Sequence, residues 1–326
     1  MKALILIGGE GTRLRPITLN TLKCMVPIAN KPFIEYQIEL LKKYKIKDII
    51  LSICHMPEKL KKVIGNGKKY GVKIKYANEK SPLGTGGAIK NCEKLLDDTT
   101  LVLNGDILTD INIDSLIKVH KTSKALVTMA LHKVADPSSY GVVETSVKGR
   151  IIKFTEKPVG ADIKSSWINA GIYVFDKQAL KYIPAGRKVS IERETFPSII
   201  AADKVIQAYK AAYYWLDIGR IDNFKKANFD LIKGKYNGIK VKAYGKKCTI
   251  GKAIINTNTI LGNSVTIGNG VFIENSVIFD NTVIRDGCTI KNSVICNDCL
   301  INEHSSVMNM VLGDRTIVKK YSKQGV

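Results

Sequence analysis

From residue 253 to residue 307 the sequence repeats every six residues. Positions 253, 259, 265, 271, 277, 283, 289, 295, 301 and 307 are Ala, Thr, Val, Val, Val, Val, Thr, Ile, Ile and Val, each small or β-branched, and most are followed by Ile, Phe, Met or Cys. Turn pairs separate them: Gly262-Asn263, Asn269-Gly270, Asp280-Asn281, Asp286-Gly287 and Asn297-Asp298. A period of six matches neither the 3.6 of an α-helix nor the 3.5 of a coiled coil. It predicts a left-handed parallel β-helix rather than an ordinary β-sandwich, with three short strands and three turns per coil. The fixed position then points inward and stacks on its counterpart one coil along. Roughly four coils fit between residues 248 and 318, and such a solenoid leaves an end to be capped or paired.

The first 230 or so residues follow another rhythm, short apolar runs alternating with helical patterns. Residues 3–7, 49–53, 73–76 and 100–103 read as strands; 32–44, 57–64 and 86–96 read as the helices between them. This order predicts an open α/β domain, Rossmann-like, with a mostly parallel sheet covered on both faces. A further helix is expected over about 222–233, followed by the basic stretch KGKYNGIKVKAYGKK. The expected domains are 1–232, a linker 233–247, and a β-helix over 248–326.

Lys and Arg number 51 against 29 Asp and Glu, a formal charge of +22, which suits nucleic acid, an anionic surface or phosphorylated small molecules. The lysines are spread along the chain without zinc-finger, RRM or KH patterns or aromatic stacking runs, so no nucleic-acid partner is expected. No segment has the apolar length of a membrane span or the form of a signal peptide, which predicts a soluble cytoplasmic protein with no membrane partner. Seven scattered cysteines are read as reduced and mostly buried. Cys296 and Cys299 have CxxC spacing, but His304 stands alone beside them and no second pair follows, so no zinc site is expected.

The chemistry is concentrated at the start, MKALILIGGEGTRLRPITL. Gly8, Gly9 and Gly11 follow an apolar run, with Arg13, Arg15 and Lys23 behind them. Leu14 stands where GxGxxG needs its third glycine, and the GK[ST] ending of a Walker loop is missing. Glycines let backbone N–H groups approach a polyphosphate, and the cations neutralise it. Five further motifs lie in the same half: Pro82-Leu83-Gly84-Thr85-Gly86-Gly87, Asn104-Gly105-Asp106, Phe154-Thr155-Glu156-Lys157-Pro158, Asn169-Ala170-Gly171 and Trp215-Leu216-Asp217-Ile218-Gly219. In open α/β sheets, loops at the carboxyl ends of strands converge on the ligand.

The order and spacing of these motifs, with EKSPLGTGGAI, NAGIYVF, SIERETFP and YWLDIG, resemble the sugar nucleotidyltransferases, the NDP-sugar pyrophosphorylases, over nearly the whole chain. The resemblance implies transfer of a nucleotide from a nucleoside triphosphate to a sugar 1-phosphate, with GTP and mannose 1-phosphate favoured and pyrophosphate released. The nucleophile is already anionic, so positioning and charge neutralisation supply the catalysis. By the same resemblance Gly8, Gly9, Gly11, Thr12 and Arg13 cradle the triphosphate, Arg13 meeting the departing pyrophosphate, and Lys23 balances charge on the α-phosphate. Asp106 and Asp217 match the metal aspartates that hold Mg²⁺. Glu79 and the loop carrying Pro82, Gly84 and Thr85 face base and ribose; Glu156, Lys157 and Asn169 bind the sugar 1-phosphate, with Gly141 allowing close backbone approach.

The family signature has PKP where this chain has Leu22-Lys23-Cys24. Prolines fix φ and restrict their predecessors, so a less preorganised loop and reduced activity are expected. Glucose-1-phosphate uridylyl or thymidylyl transfer, heptose-1-phosphate guanylyl transfer and a non-catalytic regulatory subunit remain as alternatives. The β-helix is expected to join copies into a homo-oligomer, which sedimentation at micromolar concentration checks.

Overall fold

The computed structural model describes residues 1–238 and 241–325; residues 239 and 240, inside the expected linker, and Val326 lie outside the described residues. The chain forms two compact units that do not follow chain order: Met1–Gly9 with Tyr36–Trp215, and Glu10–Glu35 with Leu216–Val326.

The first unit is built on a nine-stranded sheet. Its strands are β1 (Lys2–Ile7), β2 (Asp48–Ile53), β3 (Lys73–Asn78), β4 (Thr99–Asn104), β5 (Val127–Lys133), β6 (Gly141–Thr145), β7 (Ile151–Glu156), β8 (Trp167–Asp176) and β9 (Ile206–Lys210). The order is β7-β6-β8-β4-β1-β2-β3, with β5 also on β8 and β9 on β5. Strands β4, β1, β2 and β3 run parallel, which is why β1 is a continuous apolar run, Ala3, Leu4 and Ile5 having no exposure. Strand β8 enters antiparallel beside β4 and pairs antiparallel with β5 and β6, so the sheet is mixed. Its pairing with β5 slips between Asn169 and Tyr173. Four residues of one strand there match two of the other, a bulge of the kind that re-aims a side chain.

Helices α1 (Phe33–Lys43), α2 (Pro57–Ile64) and, further on, α6 (Ile221–Ile232) fall close to their expected places; α3 (Gly84–Asn91) starts earlier and ends well short of the expected 86–96, and α4 (Ile113–Ser123) and α5 (Phe196–Ala201) lie where the sequence reading placed no helix. Pro57 opens α2, where its missing N–H costs nothing, and the Asn112 side chain accepts from Ser115 N to cap α4. Among the described residues no helix is long and apolar enough to cross a membrane.

In the second unit residues 249–324 wind into a three-sided parallel β-helix, as the six-residue repeat predicts. Its pitch corrects the strict hexad. Thr249 pairs with Thr266, Thr266 with Val283, Phe272 with Thr289 and Val277 with Val294, a step of 17 residues, whereas three hexads make 18; among the described strand pairs only that of Ile254 with Phe272 takes the longer step. The physical reason is one tight corner per coil, turned by a single left-handed asparagine: Asn275, Asn292 and Asn309. The inward series therefore runs Thr259, Val265, Val271, Ser276, Thr282, Cys288, Ser293, Cys299, Ser305, all buried. Residues 277, 283 and 289 each fall one place past it, and Ile295, Ile301 and Val307 are the second inward residues of their strands. All seven cysteines are free thiols, five of them buried.

Candidate active site

In the first unit the candidate residues stand at strand ends. Gly8 and Gly9 follow β1, and a Cβ on Gly8 would come 3.6 Å from Glu79 Oε1. The buried Glu79 carboxylate accepts from Ser52 Oγ and from the Leu83 amide, each at 3.0 Å, and so shapes the turn from β3 into the Pro82–Gly87 loop. That loop is seated on residues 187–189. The Gly86 and Gly87 amides donate to the Val189 carbonyl at 2.9 and 3.2 Å, and a Cβ on Gly84 would lie 2.6 Å from the same oxygen. Thr85 Oγ1 donates to Glu192 Oε2 at 2.7 Å and accepts from the Ile191 amide at 3.0 Å. Glu79, Gly84 and Thr85 thus hold the loop's shape, while Pro82 is exposed at its tip.

Asp106 sits in the turn after β4. The Gly105 amide donates to the Leu6 carbonyl at 2.9 Å, and a Cβ there would come within 2.5 Å of that oxygen, so only glycine fits. Gln37, buried on α1, donates from Nε2 to the carbonyls of Asn104 and Ile107 at 2.8 and 3.2 Å, bracing both ends of the turn.

The residues expected to meet the sugar phosphate are also in this unit. A Cβ on Gly141 would lie 2.9 Å from Glu156 Oε2 and closer still to the Phe154 ring. Lys157, left-handed at φ 49°, donates its amide to the Tyr140 carbonyl at 3.0 Å. The β8 bulge turns Asn169, whose Nδ2 donates to the Tyr173 hydroxyl at 2.7 Å and whose Oδ1 accepts from the Gly171 amide at 3.0 Å. Trp215 Nε1 donates to the Ala170 carbonyl at 2.9 Å, and its ring stacks on His132 at 5.2 Å, holding the bulge from outside.

Burial, and after it the neighbouring Glu192 carboxylate, push the Glu156 carboxyl above the usual glutamate range, against the pull of Lys157 and Arg193. A carboxyl with a raised pKa in the fold contributes stability that is complete below the unfolded value and lost as pH rises through the folded one. Glu156→Gln is therefore expected to gain stability over the parent between about pH 4.3, the ordinary glutamate value, and the raised value, and to hold that gain above it. Urea midpoints measured from acid to neutral pH check this; a constant difference between the two proteins would contradict it.

The second unit carries Arg13 and Lys23. Gly11 is left-handed at φ +68°, and a Cβ would press Lys23 Cβ and Thr18 Cγ2 at 3.1 and 3.2 Å. Thr18 Oγ1 donates to the Gly11 carbonyl at 2.7 Å. Thr12–Leu14 makes one 3₁₀ turn in which Leu14 is buried and Arg13 is left exposed. Leu22 and Cys24, standing where the family signature has prolines, are buried, and burial pushes the Cys24 thiol up to about 12, so it stays an uncharged packing group. Side-chain burial on both flanks of Lys23 thus takes over part of the restraint that proline rings would supply, which weakens the expectation of a slack loop.

The functional ends meet at Gly219. A Cβ built there would lie 2.8 Å from Asp217 Oδ1, 2.8 Å from Lys23 Nζ and 3.1 Å from Arg13 Nη2. The Gly219 amide donates to Asp217 Oδ1 at 2.7 Å, and Lys23 Nζ stands 4.0 Å from the same oxygen. An aspartate, a lysine and an arginine around one open glycine suit a metal-bound polyphosphate.

Gly219, Glu192 and Gln37 are absent from the residues chosen from the sequence. Glu192 and Gly219 lie within the quoted motifs SIERETFP and YWLDIG; Gln37 carried no signal beyond its place on an apolar helix.

Comparison with known proteins decides the family: the nucleotidyl transferase family matches residues 2–234, and the GMPPB C-terminal domain matches residues 243–322. The chain belongs to the nucleotidyl transferase family. It is 40% identical over 234 residues to a mannose-1-phosphate guanylyltransferase of Mycobacterium tuberculosis, covering 71% of this chain and 65% of that one. It is 34% identical over 241 residues to a UTP--glucose-1-phosphate uridylyltransferase of Synechocystis, covering 70% and 62%. The matched stretch thus spans less than two thirds of these curated relatives. Among solved structures, HddC from Yersinia pseudotuberculosis, complexed with GMP-PN, superposes with a TM-score of 0.61 at 28% identity, covering 70% of this chain and 97% of that one. Nucleotidyl transferases of this kind use a divalent metal.

Proposed function

We propose that this nucleotidyl transferase joins a nucleoside triphosphate, GTP favoured, to a sugar 1-phosphate, mannose 1-phosphate favoured, and releases pyrophosphate. The observation that carries the reading is the gathering of Asp217, Lys23 and Arg13 around Gly219. A phosphate oxygen of the sugar attacks the α-phosphorus; the new P–O bond forms as the bond to pyrophosphate breaks, and no proton has to be removed. Arg13 and Lys23 neutralise the triphosphate, and Lys157 the sugar phosphate. Asn169 and Glu156 meet hydroxyls, with Gly141 leaving room for the ring. Gly8, Gly9, Gly11 and Thr12 offer backbone amides.

Mg²⁺ is the proposed metal: Asp106 in the first unit and Asp217 in the second each carry a hard carboxylate that would suit it, and when bound it would offset phosphate charge. The names of the guanylyltransferase relatives and the GMP-PN complex of HddC support the guanine and mannose choice. Residues 1–232 carry this chemistry in a cytoplasmic enzyme, 233–247 link it to the solenoid, and residues 248–326 also supply a surface for self-association.

The test is pyrophosphate release with Mg²⁺ over a grid of GTP, UTP, dTTP, ATP and CTP against mannose, glucose, glucosamine and heptose 1-phosphates. A dominant signal from GTP with mannose 1-phosphate is expected. Another dominant pair would keep the class and replace the substrates, while silence with nucleotide sugars still bound would make the chain a regulatory subunit.

A further inference from the structure

The loop that carries Arg13 and Lys23 belongs to the same compact unit as the β-helix, and the contacts between them are specific. One corner of the solenoid is a ladder at 17-residue spacing: Asn263 donates its amide and Nδ2 to Asp280 Oδ1 at 2.7 and 3.3 Å, and Asn297 does the same to Asp314 Oδ1 at 3.0 Å each. Asp314 differs from Asp280 in what its second oxygen receives. Its Oδ2 accepts from Asn20 Nδ2 at 3.2 Å, midway along the cationic loop. Beside it Gly313 lies against Pro16, so close that an added Cβ would stand 3.3 Å from the proline Cβ.

Further along the segment the Asn30 side chain donates to the Leu261 carbonyl at 2.8 Å, and the Ala29 amide donates to Asn228 Oδ1 on α6 at 2.7 Å. Helix α6 is itself fixed to the coils through Phe224 against Phe279, ring centroids 6.1 Å apart, and Lys225 Nζ on the Asn292 carbonyl at 3.1 Å. The outward residues Ile260, Val277 and Val294 on this side are buried, whereas Ile317 on another side is 67% exposed.

We propose that the β-helix is a splint for catalysis: Asp314, through Asn20, with Gly313 against Pro16, positions the loop that holds Arg13 and Lys23. Both cations must sit within a few tenths of an ångström of their places as charge develops, and a loop tethered only at its ends would have to be ordered at each turnover. The coils supply that order in advance. The inference rests on the nucleotidyltransferase reading and assigns the solenoid a task beyond assembly.

The test uses the full chain with Asn20→Asp, Asp314→Asn and the two combined. Asn20→Asp sets two carboxylates face to face. Amide exchange over residues 11–25 is expected to quicken about tenfold and kcat to fall about tenfold, the effect of one lost hydrogen bond to a charged group, with KM for the sugar phosphate unchanged. Adding Asp314→Asn exchanges acceptor for donor and should restore both; unrestored variants, or Asn20→Asp with parental exchange and kcat, would overturn the proposal. If the parent releases no pyrophosphate from any pair, the function reading fails separately, and the exchange rates of the three variants alone decide whether the loop is fastened this way.

Discussion

Gly219→Ala is expected to slow pyrophosphate release about a hundredfold or more while leaving the melting temperature within a few degrees of the parent, because displacing catalytic groups by an ångström costs rate on that scale. The added methyl would stand 2.8 Å from Asp217 Oδ1 and Lys23 Nζ and 3.1 Å from Arg13 Nη2. Two of these atoms are the far ends of long side chains, so the fold yields by swinging them aside. The stability cost is correspondingly small. Under the proposed function the chemistry has no such freedom, since the same two groups would have to neutralise a triphosphate in the geometry of the transition state. Turnover and thermal melting on the one variant separate the effects. A rate within threefold of the parent would sink the assignment of this cluster, and a collapsed melting temperature would show Gly219 to be a packing glycine.

The sequence made the elements of both architectures readable, and the reason is periodicity. Strands buried on both faces cannot hide their composition, and a solenoid whose inward positions recur cannot hide its repeat. The 17-residue step is hidden in the sequence because Val277, Val283 and Thr289 are β-branched and so continue the six-residue pattern, although Ser276, Thr282 and Cys288 are the buried inward residues beside them. Composition registers which residues suit a strand, and the one-residue saving at Asn275 is a matter of backbone geometry.

The candidate site divided along a similar line. Residues whose chemistry is carried by the side chain, Arg13, Lys23, Asp106 and Asp217, could be chosen from motifs. Gly219 acts by having no side chain, and Gln37 by donating to the Asn104 and Ile107 carbonyls from 67 and 70 residues away in sequence. Neither property is written in residue type. The loop glycines 84, 86 and 87 show the reverse: a motif that suggests ligand contact, yet two of its amides donate to the Val189 carbonyl.

The largest effect is expected from Asp106→Asn, a loss on the order of a thousandfold in turnover with little change in melting temperature, the scale on which removing charge stabilisation from a transition state is felt. The substitution keeps shape and volume, and the turn around it is held by other groups: the Gly105 amide on the Leu6 carbonyl and Gln37 on both flanking carbonyls. The carboxylate charge is removed, and one acceptor oxygen becomes an NH₂ donor. If that charge serves to hold a divalent cation, the residual activity should need more Mg²⁺ than the parent, and a titration of rate against Mg²⁺ reads this directly. Gly105→Ala provides the contrast, because its methyl would meet the Leu6 backbone oxygen at 2.5 Å and backbone cannot swing aside. That variant should lose activity and melting temperature together. Should Asp106→Asn retain more than a tenth of the parental rate at unchanged Mg²⁺ demand, the metal would have to be held without Asp106, and the chemistry assigned to the turn after β4 would fall with it.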